Sequence, residues 1–340
     1  MSMQTDLLEP TVPDLAANAP AAESTRRHHG LKLPYWARAV LNSKKATAGV
    51  LIAVLFAAVA LLAPVIAPGD PSDFVARPHQ APSAEHWFGT TGQGQDVFAQ
   101  TVWGSRSTLA VGLLVGLLTT VIGVLVGVGS GYFGGAVDES FSLIVNIFLI
   151  VPSLPLLVVL SAFIGSGTPW FMILVLTITG WAWPARVMRS QAISLREKDF
   201  VAAAQVSGEG GMRIVLSEIL PNMFSIVVAS FLGSGIYAIG AQAALEFLGL
   251  GNPSVVSWGT NLYWAGNNAG LLTGAWWTFV PAGLCIALIA FAFVLMNYAI
   301  DEVTNPRLRA RGAAVALLKR PGFRLTAGRA TPVLRPTGGD

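Results

Sequence analysis

The sequence predicts an all-α integral membrane protein, a bundle of six transmembrane helices with both termini in the cytoplasm. Three observations predict it. Charged residues make up only 11% of the 340, against about 25% in an ordinary soluble domain, and mean hydropathy is +0.61. The apolar residues gather into six long runs, each close to the ~20 residues a helix needs to cross about 30 Å of hydrocarbon. Nineteen of the 21 Lys and Arg residues fall in three stretches that six crossings place on one side. By the positive-inside rule that side is the cytoplasm. The chain is too apolar for disorder, and its runs do not alternate as the strands of an outer-membrane barrel do.

The elements follow in order. Residues 1–46 form a cytoplasmic tail, partly disordered, rich in Ala, Pro and acidic residues and carrying Arg26, Arg27, Lys32, Arg38, Lys44 and Lys45. The membrane core is 47–300. Its first span, 47–67, starts too late and runs too long for a cleaved signal peptide, so it reads as a retained anchor. The second, 108–131, holds Gly112/Gly116 and Gly123/Gly127, a spacing that lets helices approach closely. The third, 141–164, has Pro152 and Pro155 at mid-depth. These bend it either as a passive kink or as a bend lining a pathway. The fourth, 170–188, ends on Trp181, Trp183 and Pro184, an interfacial finish.

The connection 189–224 is cytoplasmic and reads as two short helices, the first stopped by Gly208 and the second by Pro221. Such an elbow either docks on a cytoplasmic partner or simply connects two spans. The fifth span, 225–245, carries Gly233, Gly235 and Gly240, again suited to close packing. Glu246 follows at its outer end, either as a water-contacting interfacial carboxylate or as a charge at the mouth of a pathway. Residues 247–300 then carry no charge at all. Trp258, Tyr263, Trp264, Trp276 and Trp277 read there as anchors of the outer interface. The sixth span is 277–298, and 301–340 form a basic cytoplasmic tail whose charges suit anionic headgroups.

Several functions are excluded. Cys285 is the sole cysteine, and the four histidines lack the spacing of a helical zinc site. No relay of intramembrane Asp, Glu or His serves a proton-coupled carrier, and no arginine ladder senses voltage. An intramembrane enzyme lacks its nucleophile–base pair. No G-x-x-x-x-G-K-[ST] phosphate loop occurs, so energy from ATP must enter through another subunit.

Five stretches carry a family resemblance. Ala203-Ala204, Gly208 and Ile219-Leu220-Pro221 resemble the "EAA" signature of ABC importer permeases. His86-Trp87-Phe88-Gly89-Thr90 with Gln95-Asp96-Val97 and Gly104-Ser105-Arg106, then Gly131-Tyr132-Phe133-Gly134-Gly135, resemble the C-type permease subunit of dipeptide, oligopeptide and nickel importers. So do Phe247 to Gly251 with Ser257-Trp258-Gly259-Thr260, and Asn305-Pro306-Arg307-Leu308-Arg309. The resemblance covers roughly residues 35–309.

It implies the transmembrane half of a binding-protein-dependent importer in a bacterial plasma membrane. The cargo would be dipeptides or oligopeptides, with nickel, haem or oligosaccharide as alternatives and a secondary transporter as the more distant one. The partners implied are a second homologous permease, two cytoplasmic ATPases that bind ATP and Mg, an extracytoplasmic solute-binding protein and membrane lipid, with no nucleic acid. The chain itself implies no cofactor, no metal and no catalytic residue. Phe200, Val201, Ala202, Ala203, Ala204, Val206, Gly208, Ile219, Leu220 and Pro221 would form the coupling helix and its support. Pro152, Pro155 and Glu246 are the candidate pathway residues. Where this chain has Ala202 the family usually has Glu, and Gly210-Gly211 replaces polar capping residues.

Overall fold

In a computed structural model, the described residues, 43–164 and 169–304, form helices joined by loops, with one isolated bridge between Thr90 and Asp96. Most of both tails, and the Asn305–Arg309 motif, lie outside these residues. Four helices are long and apolar enough to cross a bilayer, and the spans become six when each of two bent pairs counts as one. The fold is an all-α six-span bundle. Its outward surfaces are apolar, with Leu51, Leu55, Leu117 and Leu125 all exposed, as lipid-facing helices require.

Helix α1 (Lys44–Leu61) is the first span, and Pro64 opens the short α2 (Ala63–Ile66) that turns it into the outer loop. Helix α3 (Val97–Phe133) is 37 residues, about 55 Å at 1.5 Å per residue. It begins well before the expected 108. Hydropathy fails there because the outer turns are polar yet buried: Gln100 donates to the Pro71 carbonyl at 2.6 Å and Thr101 to Val97 at 2.8 Å. Asp96 caps the helix by accepting from the Ala99 amide at 2.9 Å, and its other oxygen lies 2.8 Å from His86 Nδ1. The turn after α3 needs two residues at positive φ, Gly134 at 68° and Gly135 at 58°.

The third span breaks in two, α4 (Gly135–Ile150) and α5 (Ser153–Ile164), bent by 88° at Val151-Pro152. The fourth also breaks, α6 (Pro169–Gly180) and α7 (Ala182–Arg196), by 43°. Trp181 and Trp183 therefore mark a mid-span bend, and the expected interfacial finish at 188 is corrected. The helix continues to Arg196 because Arg189 and Arg196 find partners at the cytoplasmic end.

A short helix α8 (Asp199–Val206) forms the elbow. The second expected elbow helix is not separate. Helix α9 (Gly211–Ile214), a π-turn (Val215–Ile219) and α10 (Leu220–Phe247) run on without interruption into the fifth span. Pro221 does not stop it: the widened turn, with Leu220 N–H bonded to the Val215 carbonyl, brings the proline to the start of a fresh α-helical segment. Outside, α11 (Trp258–Asn267) precedes a 3₁₀ turn (Trp276–Thr278) and α12 (Val280–Thr304), the last span.

Small residues set the packing around α3. A Cβ on Gly112 would meet Ile239 of α10 at 2.5 Å, and one on Gly123 would meet Pro184 of α7 at 2.7 Å. The two glycine pairs are thus docking points for two different helices. In α10 only Gly235 packs in this way, against Phe293 at 3.0 Å; Gly233 and Gly240 face open space, correcting the uniform reading of that trio.

Candidate functional site

The elbow is built outward from a buried anchor. Val201, Ile214, Val215, Ile219 and Met223 pack with Val128, Tyr132, Met188 and Ala192 in one core cluster. Val201 and Ile219 are fully buried, so of the expected docking residues these two hold the elbow rather than face a partner. Leu220 and Ala204 are half-buried at the edge of the same cluster. Phe200, Ala202, Ala203, Val206, Gly208 and Pro221 are exposed. Val206 is 90% exposed, and Phe200 and Met212 add further apolar surface. At Gly208 φ is +79° and a Cβ would meet nothing within 4 Å, so backbone conformation, not space, demands glycine. Gly210 caps α9 with no side-chain hydrogen bond.

Beside the elbow, sequence reasoning missed a charge pair. Arg189 on α7 grips Asp138 in the first turn of α4 with two hydrogen bonds, and Arg196 donates to the Tyr132 carbonyl at 3.3 Å. An Asp just before one expected span and an Arg just after the next, both on the cytoplasmic side, were the available signal.

A cavity of about 720 Å³ opens between the two broken spans and α10. Its wall includes Phe148–Ser153 at the first break, Thr179, Gly180 and Trp183 at the second, and Ser230, Gly233, Ser234 and Tyr237 on α10. Tyr237 lies 3.3 Å from Thr179 through their hydroxyls, and its ring fills the space a Cβ on Gly180 would need. Of the candidate pathway residues, Pro152 lines this cavity and Pro155 does not.

Glu246 is elsewhere and is buried, 7% exposed, which corrects the expectation of a water-contacting carboxylate. It accepts hydrogen bonds from Ser257 Oγ and, at 2.9 Å, from Gln242 Nε2, beside a void of only about 30 Å³. Ser257 is the N-cap of α11, so the carboxylate ties the outer loop to the fifth span. Trp258 is also no interfacial anchor. It is fully buried and donates to the Thr101 carbonyl at 3.0 Å.

These features define a class: a polytopic membrane subunit with a cytoplasmic elbow and an uncharged intramembrane cavity, whose sequence contains no phosphate loop of its own. The chain belongs to the family of binding-protein-dependent transport system inner membrane components, which matches residues 120–309 and takes in both elbow and cavity. It is 34% identical over 301 residues to the oligopeptide transport system permease protein OppC of Bacillus subtilis (strain 168), covering 86% of this chain and 96% of that protein. It is 32% identical over 277 residues to the dipeptide transport system permease protein DppC of the same strain, covering 80% and 85%. The OppC of Mycobacterium tuberculosis (strain ATCC 25618 / H37Rv) is 33% identical over 215 residues, 63% of this chain and 73% of that one. The chain is accordingly a multi-pass permease subunit of an ABC importer in a bacterial inner membrane, served by ATPase and binding-protein partners.

Proposed function

We propose that this chain forms half of the translocation pathway of an importer for dipeptides or oligopeptides. A second, homologous permease forms the other half. Two cytoplasmic ATPases bind ATP and Mg and dock on the elbow, and an extracytoplasmic binding protein delivers cargo. The names of the relatives support peptides over nickel, haem or oligosaccharide.

One observation carries the mechanism: both helices that flank the elbow also line the cavity. Helix α7 contributes Trp183, Pro184 and Val187 before running to Arg196, and α10 contributes Ile226 through Tyr237 after emerging from α9. A push on Phe200, Ala202, Ala203, Val206 and Gly208 is therefore delivered to the cavity wall through two continuous helices rooted in the Val201–Ile214–Ile219 core. Pro152 and Gly180 are the breaks at which the wall yields, while Pro155 and Glu246 stand outside it. Residues 1–46 and 301–340 are cytoplasmic tails, and 189–224 the coupling region.

Co-purification tests the reading. The chain should bring down a cytoplasmic ATPase, and Val206→Asp should release it while membrane insertion persists. In proteoliposomes the assembled complex should take up dipeptide only with ATP on the elbow side. Transport by the purified chain alone, driven by an ion gradient, would refute the assignment.

A further inference from the structure

We propose that the cavity wall supplied by this chain is blind to side-chain charge and engages short peptides through their amide groups; this deepens the peptide-import reading and rests on it. Among the described residues lining the cavity none is charged. The polar groups are Ser153, Thr179, Ser230, Ser234, Tyr237 and Asn297, hydroxyls and one carboxamide. Each can both donate and accept a hydrogen bond. That is the chemistry a peptide main chain presents at every residue, whatever its side chains. Phe148, Trp183 and Tyr237 add aromatic surface, whose faces attract a cation only weakly at a solvated site, a smaller bias than a fixed charge would impose.

Three charged residues on the two helices that flank the elbow lie outside this lining. Arg189 is spent on Asp138, Arg186 is exposed outside the lining, and Glu246 is enclosed by Ser257 and Gln242. The volume, about 720 Å³, falls within the roughly 300–1,000 Å³ of small-ligand sites. A fixed charge on such a wall would attract one class of peptide and repel the other. Its exclusion lets acidic, neutral and basic peptides pass this half of the pathway alike, leaving discrimination to other components.

Gly233 supplies the test, because it lines the cavity and a Cβ there meets no atom within 4 Å. The complete importer, with partner permease, ATPases and binding protein, is reconstituted with wild-type chain, Gly233→Ala, Gly233→Asp or Gly233→Lys. Uptake of Ala-Glu, Ala-Ala and Ala-Lys is measured, and each variant's rate is divided by the wild-type rate for the same peptide, which cancels the binding protein's preference. Gly233→Ala, the control for added size, should change all three ratios by the same factor. Gly233→Asp should depress the Ala-Glu ratio about tenfold or more below that of Ala-Lys, and Gly233→Lys should reverse the order. Equal ratios for all three peptides in both charged variants would overturn the proposal, as would charge discrimination already present in Gly233→Ala. Failure of the peptide reading itself shows separately, as wild-type importer that hydrolyses ATP with its loaded binding protein yet takes up none of the three peptides.

Discussion

Arg189 closes on Asp138 as a fork: Nε lies 2.5 Å from Oδ1 and Nη2 lies 2.7 Å from Oδ2. The pair joins the cytoplasmic end of the fourth span to the first turn of the third, one turn from the α3–α4 glycine hinge and beside the elbow. It ties together the two broken spans that enclose the cavity, at the end where the ATPase would act.

Because a planar guanidinium alone can make both bonds, Arg189→Lys should not substitute for it. With both side chains partly exposed, the pair is worth about 1 kcal/mol, a fall of about 1–2 °C in unfolding midpoint for a chain this size. Arg189→Lys and Asp138→Asn should each produce that fall in the purified complex, and the double variant no more than either. Additive losses would show that the two residues act independently.

The helix-packing glycines give a sharper contrast. A Cβ on Gly127 would run into the Ala185 carbonyl and approach Met188 at 2.7 Å, whereas one on Gly129 meets nothing within 4 Å. Gly127→Ala should separate α3 from α7 at a cost of about 1–3 kcal/mol. Gly129→Ala should be neutral or slightly stabilising through helix propensity. Thermal unfolding of the two variants side by side reads this directly.

The same contrast shows what the sequence could and could not reveal. Spans two, five and six were legible because apolar runs report lipid contact. Their true ends were not, because buried polar residues such as Gln100 and Thr101 look hydrophilic while satisfied by backbone partners. Gly129 and Gly131 look alike in sequence, yet only Gly131 touches α7, through the Arg189 carbonyl. The elbow's Gly208 was legible from its position, and its positive φ agrees. The burial of Val201 and Ile219 was not, since which face of a short apolar helix turns inward depends on Tyr132 and Met188, far away in the chain. The cavity was legible only at Pro152. Tyr237 and Thr179 belong to different spans, and nothing local announces that they meet.

At Gly208 the φ of +79° separates two substitutions of similar size. Asparagine enters the left-handed region readily, and a β-branched residue does not. Gly208→Asn should keep most of the uptake, while Gly208→Val should abolish it with insertion and expression intact. Uptake assays paired with membrane-fraction blots distinguish the cases. Equal activity of both variants would remove Gly208 from the coupling path.

Glu246 offers the last test, and the direction follows from which hydrogen bonds each substitution preserves. The carboxylate accepts from Ser257 Oγ and Gln242 Nε2, while Gln242 Oε1 has no partner among the described residues. Glutamine at 246 keeps an acceptor for Ser257 and, once the Gln242 amide turns over, donates to Gln242 Oε1, removing the carboxylate without opening a hole. Alanine removes the acceptor that Ser257 Oγ and Gln242 Nε2 share, leaving Ser257 its bonds to Thr260 but Gln242 unmet beside a cavity, at about 1–3 kcal/mol for the unmet group alone. Gly259, which has no room for a Cβ beside Glu246, would lose the contact that seats it. Since Ser257 caps α11, Glu246→Ala should loosen the outer loop 248–275 specifically. Protease added to spheroplasts should nick that loop in Glu246→Ala and spare it in Glu246→Gln and wild type. Nicking in both variants would instead assign the effect to the negative charge itself.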